Sequence, residues 1–152
     1  MLSPDSSTYQ QVKNSALDVL SRREHSVVEL RHKLLHKGYM NALVEQVVNE
    51  LQTQQLVSDV RFCESFIRSR INKGYGWSHI QQALKMRGVT QQTINDNSIS
   101  HDVDWLALAQ QVRMKRFGRK QPTTLQERAK QMRFLQYRGF NSEQIRYALT
   151  EE

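Results

Sequence analysis

Four groups of residues in this chain have types and spacings that chemistry could use. His32 and His36 stand four apart in His32-Lys33-Leu34-Leu35-His36, which puts two imidazoles on one helix face as half of a metal site. Lys33 occupies the place after the first histidine where a zinc protease needs its glutamate, so exposed histidines on a basic helix are the better account. Gly74-Tyr75-Gly76 resembles a phosphate-cradling loop in its glycine spacing, but no Gly-Lys-Ser/Thr follows and no strand precedes, leaving a turn between helices. Tyr75 and Trp77 beside it are of the type that stacks on bases, and equally of the type that packs on a neighbouring helix. Cys63, the single cysteine, lies between Phe62 and Phe66 and reads as a small buried hydrophobe, not a nucleophile. No nucleophile, base and orienter can be assembled, so the expectation is a binding protein without catalysis, cofactor or metal.

The basic side chains carry more. The 152 residues hold 22 lysines and arginines against 15 aspartates and glutamates, a net +7, which favours an anionic partner. Between Arg113 and Arg146 ten cations face only Glu127 and Glu143. Arg113, Lys115, Arg116, Arg119, Lys120, Lys130 and Arg133 are therefore candidates to meet nucleic-acid phosphates or an acidic protein surface, set against the plain reading of a solvated face. Arg68, Arg70 and Lys73 cluster beside the Gly74-Tyr75-Gly76-Trp77 turn, and Arg22 and Arg23 hold the matching slot one repeat earlier, so these five are expected to form a basic row facing the same partner.

The elements that must position them are helical. Only Pro4 and Pro122 interrupt the chain, and apolar residues recur at three and four positions, as in Val44, Val47, Val48, Leu51 and in Phe62, Phe66, Ile67, Ile71. Ser26 with Glu29, Thr124 with Glu127 and Asn141 with Gln144 mark three helix starts. A motif repeats at intervals of about 50 residues: Leu34-Leu35-His36-Lys37-Gly38-Tyr39, Leu84-Lys85-Met86-Arg87-Gly88-Val89 and Leu135-Gln136-Tyr137-Arg138-Gly139-Phe140, with Val44, Ile94 and Ile145 five positions after the apolar residue. It predicts a helix ending at a left-handed glycine and an apolar residue turning the chain into the next helix. Lys37, Arg87 and Arg138 fill one slot, where a cation is stabilised by the last carbonyls of its own helix.

A further helix is predicted before each hairpin, over Tyr9 to Arg23, Asp59 to Lys73 and Asp102 to Phe117, with a break over Asp96 to Asp102 and the longest inner loop over Gly118 to Thr123. Trp105, Leu106, Leu108, Val112 and Phe117 read as core of the last repeat. The expected organisation is all-α: a flexible tail over 1–11, then three tandem three-helix (helix-turn-helix-like) repeats over 12–57, 58–100 and 101–152. Each buries too little apolar surface alone, so they are expected to stack into a curved, elongated array with a concave basic face. One cysteine suits a reducing cytosol, and no signal-like or membrane-spanning segment is present, so a cytoplasmic protein is expected.

The ordered set of motifs resembles the RecX family of recombinase regulators. Ala16-Leu17-Asp18-Val19-Leu20-Ser21-Arg22-Arg23-Glu24-His25-Ser26 with Glu29-Leu30 and Lys33-Leu34 is similar to the family's opening. Val57-Ser58-Asp59-Val60-Arg61-Phe62, Arg68-Ser69-Arg70, Lys73-Gly74-Tyr75-Gly76, Asp104-Trp105, and Arg133-Phe134-Leu135 with Arg138-Gly139-Phe140 follow in order over about 12 to 150. Val57-Ser58-Asp59 stands where the family has Leu-Asp-Asp, which is expected to loosen a helix cap, and Cys63 stands where an alanine usually follows the phenylalanine.

The resemblance implies a monomeric, non-catalytic protein that binds RecA filaments on single-stranded DNA in the helical groove. Such a protein inhibits RecA ATP hydrolysis, strand exchange and co-protease activity, and so modulates recombinational repair and the SOS response. Direct contact with single-stranded DNA would be weaker and phosphate-mediated. The residues alone also admit a free-standing basic helical nucleic-acid-binding protein, or a neutral scaffold binding a protein through apolar surface.

Overall fold

A computed structural model describes residues 8–150, which fold into helices with no strand among them. In order they are α1 Tyr9–Leu20, α2 Val27–His36, α3 Asn41–Thr53, α4 Asp59–Asn72, α5 Trp77–Met86, α6 Gln91–Asp96, α7 Ile99–Asp102, α8 Trp105–Phe117, α9 Leu125–Arg138 and α10 Ser142–Thr150. The tail expected over 1–11 lies partly outside the described residues. Its last residues belong to α1, because Thr8 and Gln11 form a reciprocal capping box that starts the helix at Tyr9. Ser26 with Glu29 and Asn141 with Gln144 form such boxes too, while Thr124 accepts from the Glu127 N–H. Asp104, capping through the Ala107 N–H, begins α8 at Trp105, and the expected break before it contains the single turn α7. Ser58 accepts from the Arg61 N–H at 3.3 Å, so α4 keeps a cap where a loosened one was expected.

The repeated glycines behave as the motif requires. Gly38, Gly88 and Gly139 have φ of 96°, 82° and 99°, a region that costs other L-residues about 1–2 kcal/mol. The apolar residue after each is partly or fully buried, and Val44, Ile94 and Ile145 are buried beyond it.

The chain forms two compact units. One takes the chain up to Ser65 together with Lys85–Asp96; the other takes Phe66–Leu84 with the chain from Asn97 onward. In the first, α1, α2 and α3 enclose a core of Val12, Ala16, Leu30, Leu34, Val47 and Leu51, each fully buried. In the second, α10 packs chiefly on α8, and Ala109, Leu135, Phe140, Ile145, Ala148 and Leu149 form the core. Trp105, Leu108 and Val112 are only partly buried against it.

One docking contact occurs in both units. In the first, the Ser26 hydroxyl at the start of α2 donates to the Arg87 carbonyl at the end of α5, at 2.7 Å. In the second, the Gly76 N–H at the start of α5 donates to the Arg138 carbonyl at the end of α9, again at 2.7 Å. A helix end has carbonyls to spare, and one is satisfied by a side-chain hydroxyl in the first unit and by a spare backbone N–H in the second. The glycines permit this approach: a Cβ on Gly139 would lie 2.5 Å from His79 Cβ, and one on Gly88 would collide with Val28.

Candidate nucleic-acid and protein interface

Charge divides sharply between the units. By sequence the first holds nine basic and nine acidic side chains, and the second holds thirteen and six, so the whole excess of +7 belongs to the second. Several cations of the first unit are met by carboxylates: Lys13 by Glu50, Arg31 by Glu45, Arg61 by Glu24, and Arg87 by Glu29. Arg22 and Arg23 share this fate. Arg22 pairs with Asp18 at 3.4 Å and Arg23 with Glu29 at 3.2 Å, and both remain exposed. Exposed pairs contribute little to stability, but each carboxylate offsets positive charge that a basic row would present.

In the second unit, guanidinium groups sit on aromatic rings. Arg70 lies 4.6 Å from the Phe66 ring centre and 5.6 Å from that of Tyr75; Arg138 lies 4.8 Å from Tyr75 and 5.1 Å from Phe134; Arg116 lies 5.8 Å from Phe134 and 5.4 Å from Phe117. Arginine and ring thus alternate through three cations and four rings. A ring face holds a cation through its quadrupole without cancelling the charge, so these side chains are ordered and still available to an anion. Tyr75 is also stacked on His79 at 4.2 Å, and Trp77 packs on Trp105 at 5.8 Å, which uses these aromatics internally.

Next to this ladder a groove of about 520 Å³ opens in the second unit. Lys73, Lys115, Arg116 and Arg138 line it, with Ile71, Leu108, Val112 and Phe134 as its apolar part and no carboxylate. The Arg138 guanidinium donates to the Lys73 carbonyl at 2.8 Å, which fixes one wall. Lys73, Lys115 and Arg116, expected from sequence, are therefore brought together. Arg138, which sequence reasoning treated only as a helix-end cation, joins them; its signal was Phe134 four residues earlier on the same helix face. Arg68, Arg119, Lys120, Lys130 and Arg133 are exposed on the same unit but do not line the groove.

Arg113 is a correction. Expected on the partner-facing surface, it is 1% exposed. It follows Ala109 by four residues on α8, so helical periodicity turns it inward with that fully buried alanine. Its guanidinium donates to the carbonyls of Arg119 and Lys120 and to Gln131 Oε1 at 3.3–3.5 Å, and burial lowers its pKa. It braces the loop after α8 from beneath.

The remaining titratable groups are structural. His25 is buried, donates from Nδ1 to the Arg23 carbonyl and accepts from Lys33 Nζ at 2.7 Å, an arrangement that assigns the neutral δ tautomer. Burial first, then the charges of Arg23 and Lys33, lower its pKa against the pull of that carbonyl. Burial alone raises Glu29, but hydrogen bonds from Arg23 and the Ser26 N–H, with the Arg23 charge, outweigh it and leave the carboxyl lowered. Burial pushes the Cys63 thiol up to about 11, as suits a buried hydrophobe. His32 and His36 are exposed, and no group of three or more metal-ligating side chains occurs among the described residues. No helix among them is long and apolar enough to cross a membrane.

Fold and site define a helical-repeat protein with a cationic face. Residues 13–51 match the RecX first three-helix domain, 58–96 the second and 102–149 the third. Regulatory protein RecX of Vibrio vulnificus is 40% identical over 92% of both chains. That of Pseudomonas entomophila is 40% identical over 88% of this chain and 86% of its own. A crystal structure of RecX from Lactobacillus salivarius superposes with a TM-score of 0.76 at 20% identity, covering 94% of this chain and 95% of that one. A second, of regulatory protein RecX, gives 0.77 at 25% identity over 92% of this chain and 70% of that one. This chain belongs to the RecX family of regulatory proteins.

Proposed function

We propose that this protein regulates a RecA-type recombinase by binding its filament on single-stranded DNA. It sits in the filament's helical groove as a monomer in the cytoplasm and inhibits ATP hydrolysis, strand exchange and co-protease activity. The three repeats, 12–57, 58–100 and 101–152, present basic surface that leans on acidic recombinase surface and on phosphates. Inhibition needs no bond chemistry: occupying the groove obstructs the second strand and alters the subunit geometry on which ATP turnover depends.

The observation that carries this reading is the placement of charge. The excess of +7 falls in one unit, where Lys73, Lys115, Arg116 and Arg138 share a groove without a carboxylate. Arg68, Arg70, Arg119, Lys120, Lys130 and Arg133 extend the cationic surface of that unit; Arg22 and Arg23 are secondary contacts, being ion-paired. Adding the protein to preformed RecA filaments on single-stranded DNA and following ATP hydrolysis tests the proposal. Turnover is expected to fall, and undiminished turnover at saturating protein overturns it.

The same charge placement favours one second reading, a free-standing nucleic-acid binder. Such a protein binds naked strand as tightly as filament and loses affinity steeply with salt. A gel-shift comparison of the two substrates at moderate salt separates the readings.

A further inference from the structure

We infer that the groove of the second unit holds one nucleotide of a single strand, with its phosphate on the rim cations and its base against the apolar floor. The inference rests on the reading of this unit as the DNA-facing one and adds a base-dependent contact to it. A site made for phosphates alone needs cations and no floor. This one has both: Lys73, Lys115, Arg116 and Arg138 stand beside Ile71, Leu108, Val112 and Phe134. Its volume of about 520 Å³ falls within the range of small-ligand sites.

The arginines are preset for the phosphate. Arg116 and Arg138 are already seated on Phe134, so their planes are ordered before any ligand arrives. Each lies against two rings, Arg138 on Tyr75 and Phe134 and Arg116 on Phe117 and Phe134, so its N–H edge is offered to the phosphate and the base is left to the apolar side chains. In a duplex the bases are paired and stacked, so only a single strand can turn one into the groove without paying for unpairing.

An acidic peptide with an apolar side chain has related chemistry. The nucleic acid is favoured because the surplus does not stop at the groove: Arg68, Arg119, Lys120, Lys130 and Arg133 remain exposed on the same unit, which suits a polyanion.

The test uses the intact protein with three ligands matched in phosphate number: a single-stranded oligonucleotide, the same strand with abasic sites throughout, and the duplex. Affinity for the native strand is expected to exceed that for the abasic strand by about fivefold or more, the scale of one base stack. Equal affinity overturns the inference. Gln111 lines the groove and is exposed, so Gln111→Glu adds a carboxylate there without disturbing the core. It is expected to abolish the preference for the native over the abasic strand; a preference left intact overturns the placement. A glutamate-phenylalanine peptide that displaces the strand at lower concentration than free nucleotide also overturns it. None of these outcomes depends on the filament assay, whose failure removes the recombinase reading alone.

Discussion

Gly139→Ala separates backbone strain from repeat docking. Gly38 and Gly139 occupy the same slot and differ in φ by only a few degrees, at 96° and 99°. Alanine therefore meets the same left-handed penalty at both, about 1–2 kcal/mol. Gly38 is exposed. Gly139 is not equivalent: its new Cβ would lie 2.5 Å from His79 Cβ and 2.6 Å from His79 N, about 1 Å inside normal contact. His79 Cβ and N cannot swing away, so α9 must withdraw from the start of α5. The Gly76 N–H to Arg138 carbonyl bond and the 3.3 Å Ser78 N–H to Gly139 carbonyl bond are then weakened or lost. Each contributes about 0.5–1.5 kcal/mol, so Gly139→Ala is expected to cost about 1–3 kcal/mol beyond Gly38→Ala. With a urea m-value of about 1–3 kcal/mol/M, that excess moves the midpoint by several tenths of a molar or more. Trp77 and Trp105 both lie in the second unit, so tryptophan fluorescence follows Gly139→Ala and far-UV circular dichroism follows Gly38→Ala. Equal free-energy losses for the two variants refute the docking role assigned to Gly139.

Arg116→Gln is expected to lower the salt slope of single-strand binding by about 0.7, the share of one phosphate, whereas Arg113→Met leaves it unchanged. Fluorescence titrations across a salt series read both slopes, and an equal fall in each contradicts the burial of Arg113. On acidification the unfolded chain protonates His25 near 6.5 while the native histidine, its pKa lowered, still resists, so stability falls as pH drops from about 6.5 towards the native value. Glu29 adds a second loss below its ordinary 4.5, again because the native pKa is the lower one; Glu29→Gln removes that acid limb from urea midpoints measured against pH. At the alkaline end the unfolded thiol ionises near 9 and the native Cys63 only at about 11, so stability declines over that interval and Cys63→Ala flattens the decline. In a double-mutant cycle, Val28→Ala is expected to relieve part of the loss caused by Gly88→Ala, since the collision there is with the Val28 side chain.

Much of the fold was legible because its signals are local. Capping residues and turn glycines act within four residues of themselves, so Ser26 with Glu29, Asn141 with Gln144 and the three repeated glycines could be placed from their neighbours alone. The helix expected from Tyr9 begins there, overlapping the tail expected over 1–11, and ends at Leu20, short of Arg23. The site was less legible, for two physical reasons. A charge run read linearly ignores helical phase, and phase turned Arg113 into the interior while Lys115 and Arg116 stayed outside. The polar partners of Arg87 and Arg138, Glu29 and the Lys73 carbonyl, stand 58 and 65 positions away and leave no local pattern; only the Phe134 contact of Arg138 is local.

The hairpin slot shows how one scaffold yields two surfaces. Lys37, Arg87 and Arg138 were expected to serve their own helix ends, yet each reaches another element: Lys37 donates to the Ser15 hydroxyl, Arg87 pairs with Glu29, and Arg138 donates to the Lys73 carbonyl. Only the partner differs. A carboxylate cancels the charge it holds, and a carbonyl or a ring face does not. Exchanging Glu29 for glutamine would keep an acceptor for the Ser26 N–H and free two cations of the first unit, Arg23 and Arg87. The basic field therefore depends less on how many arginines each unit carries than on what each arginine is held against.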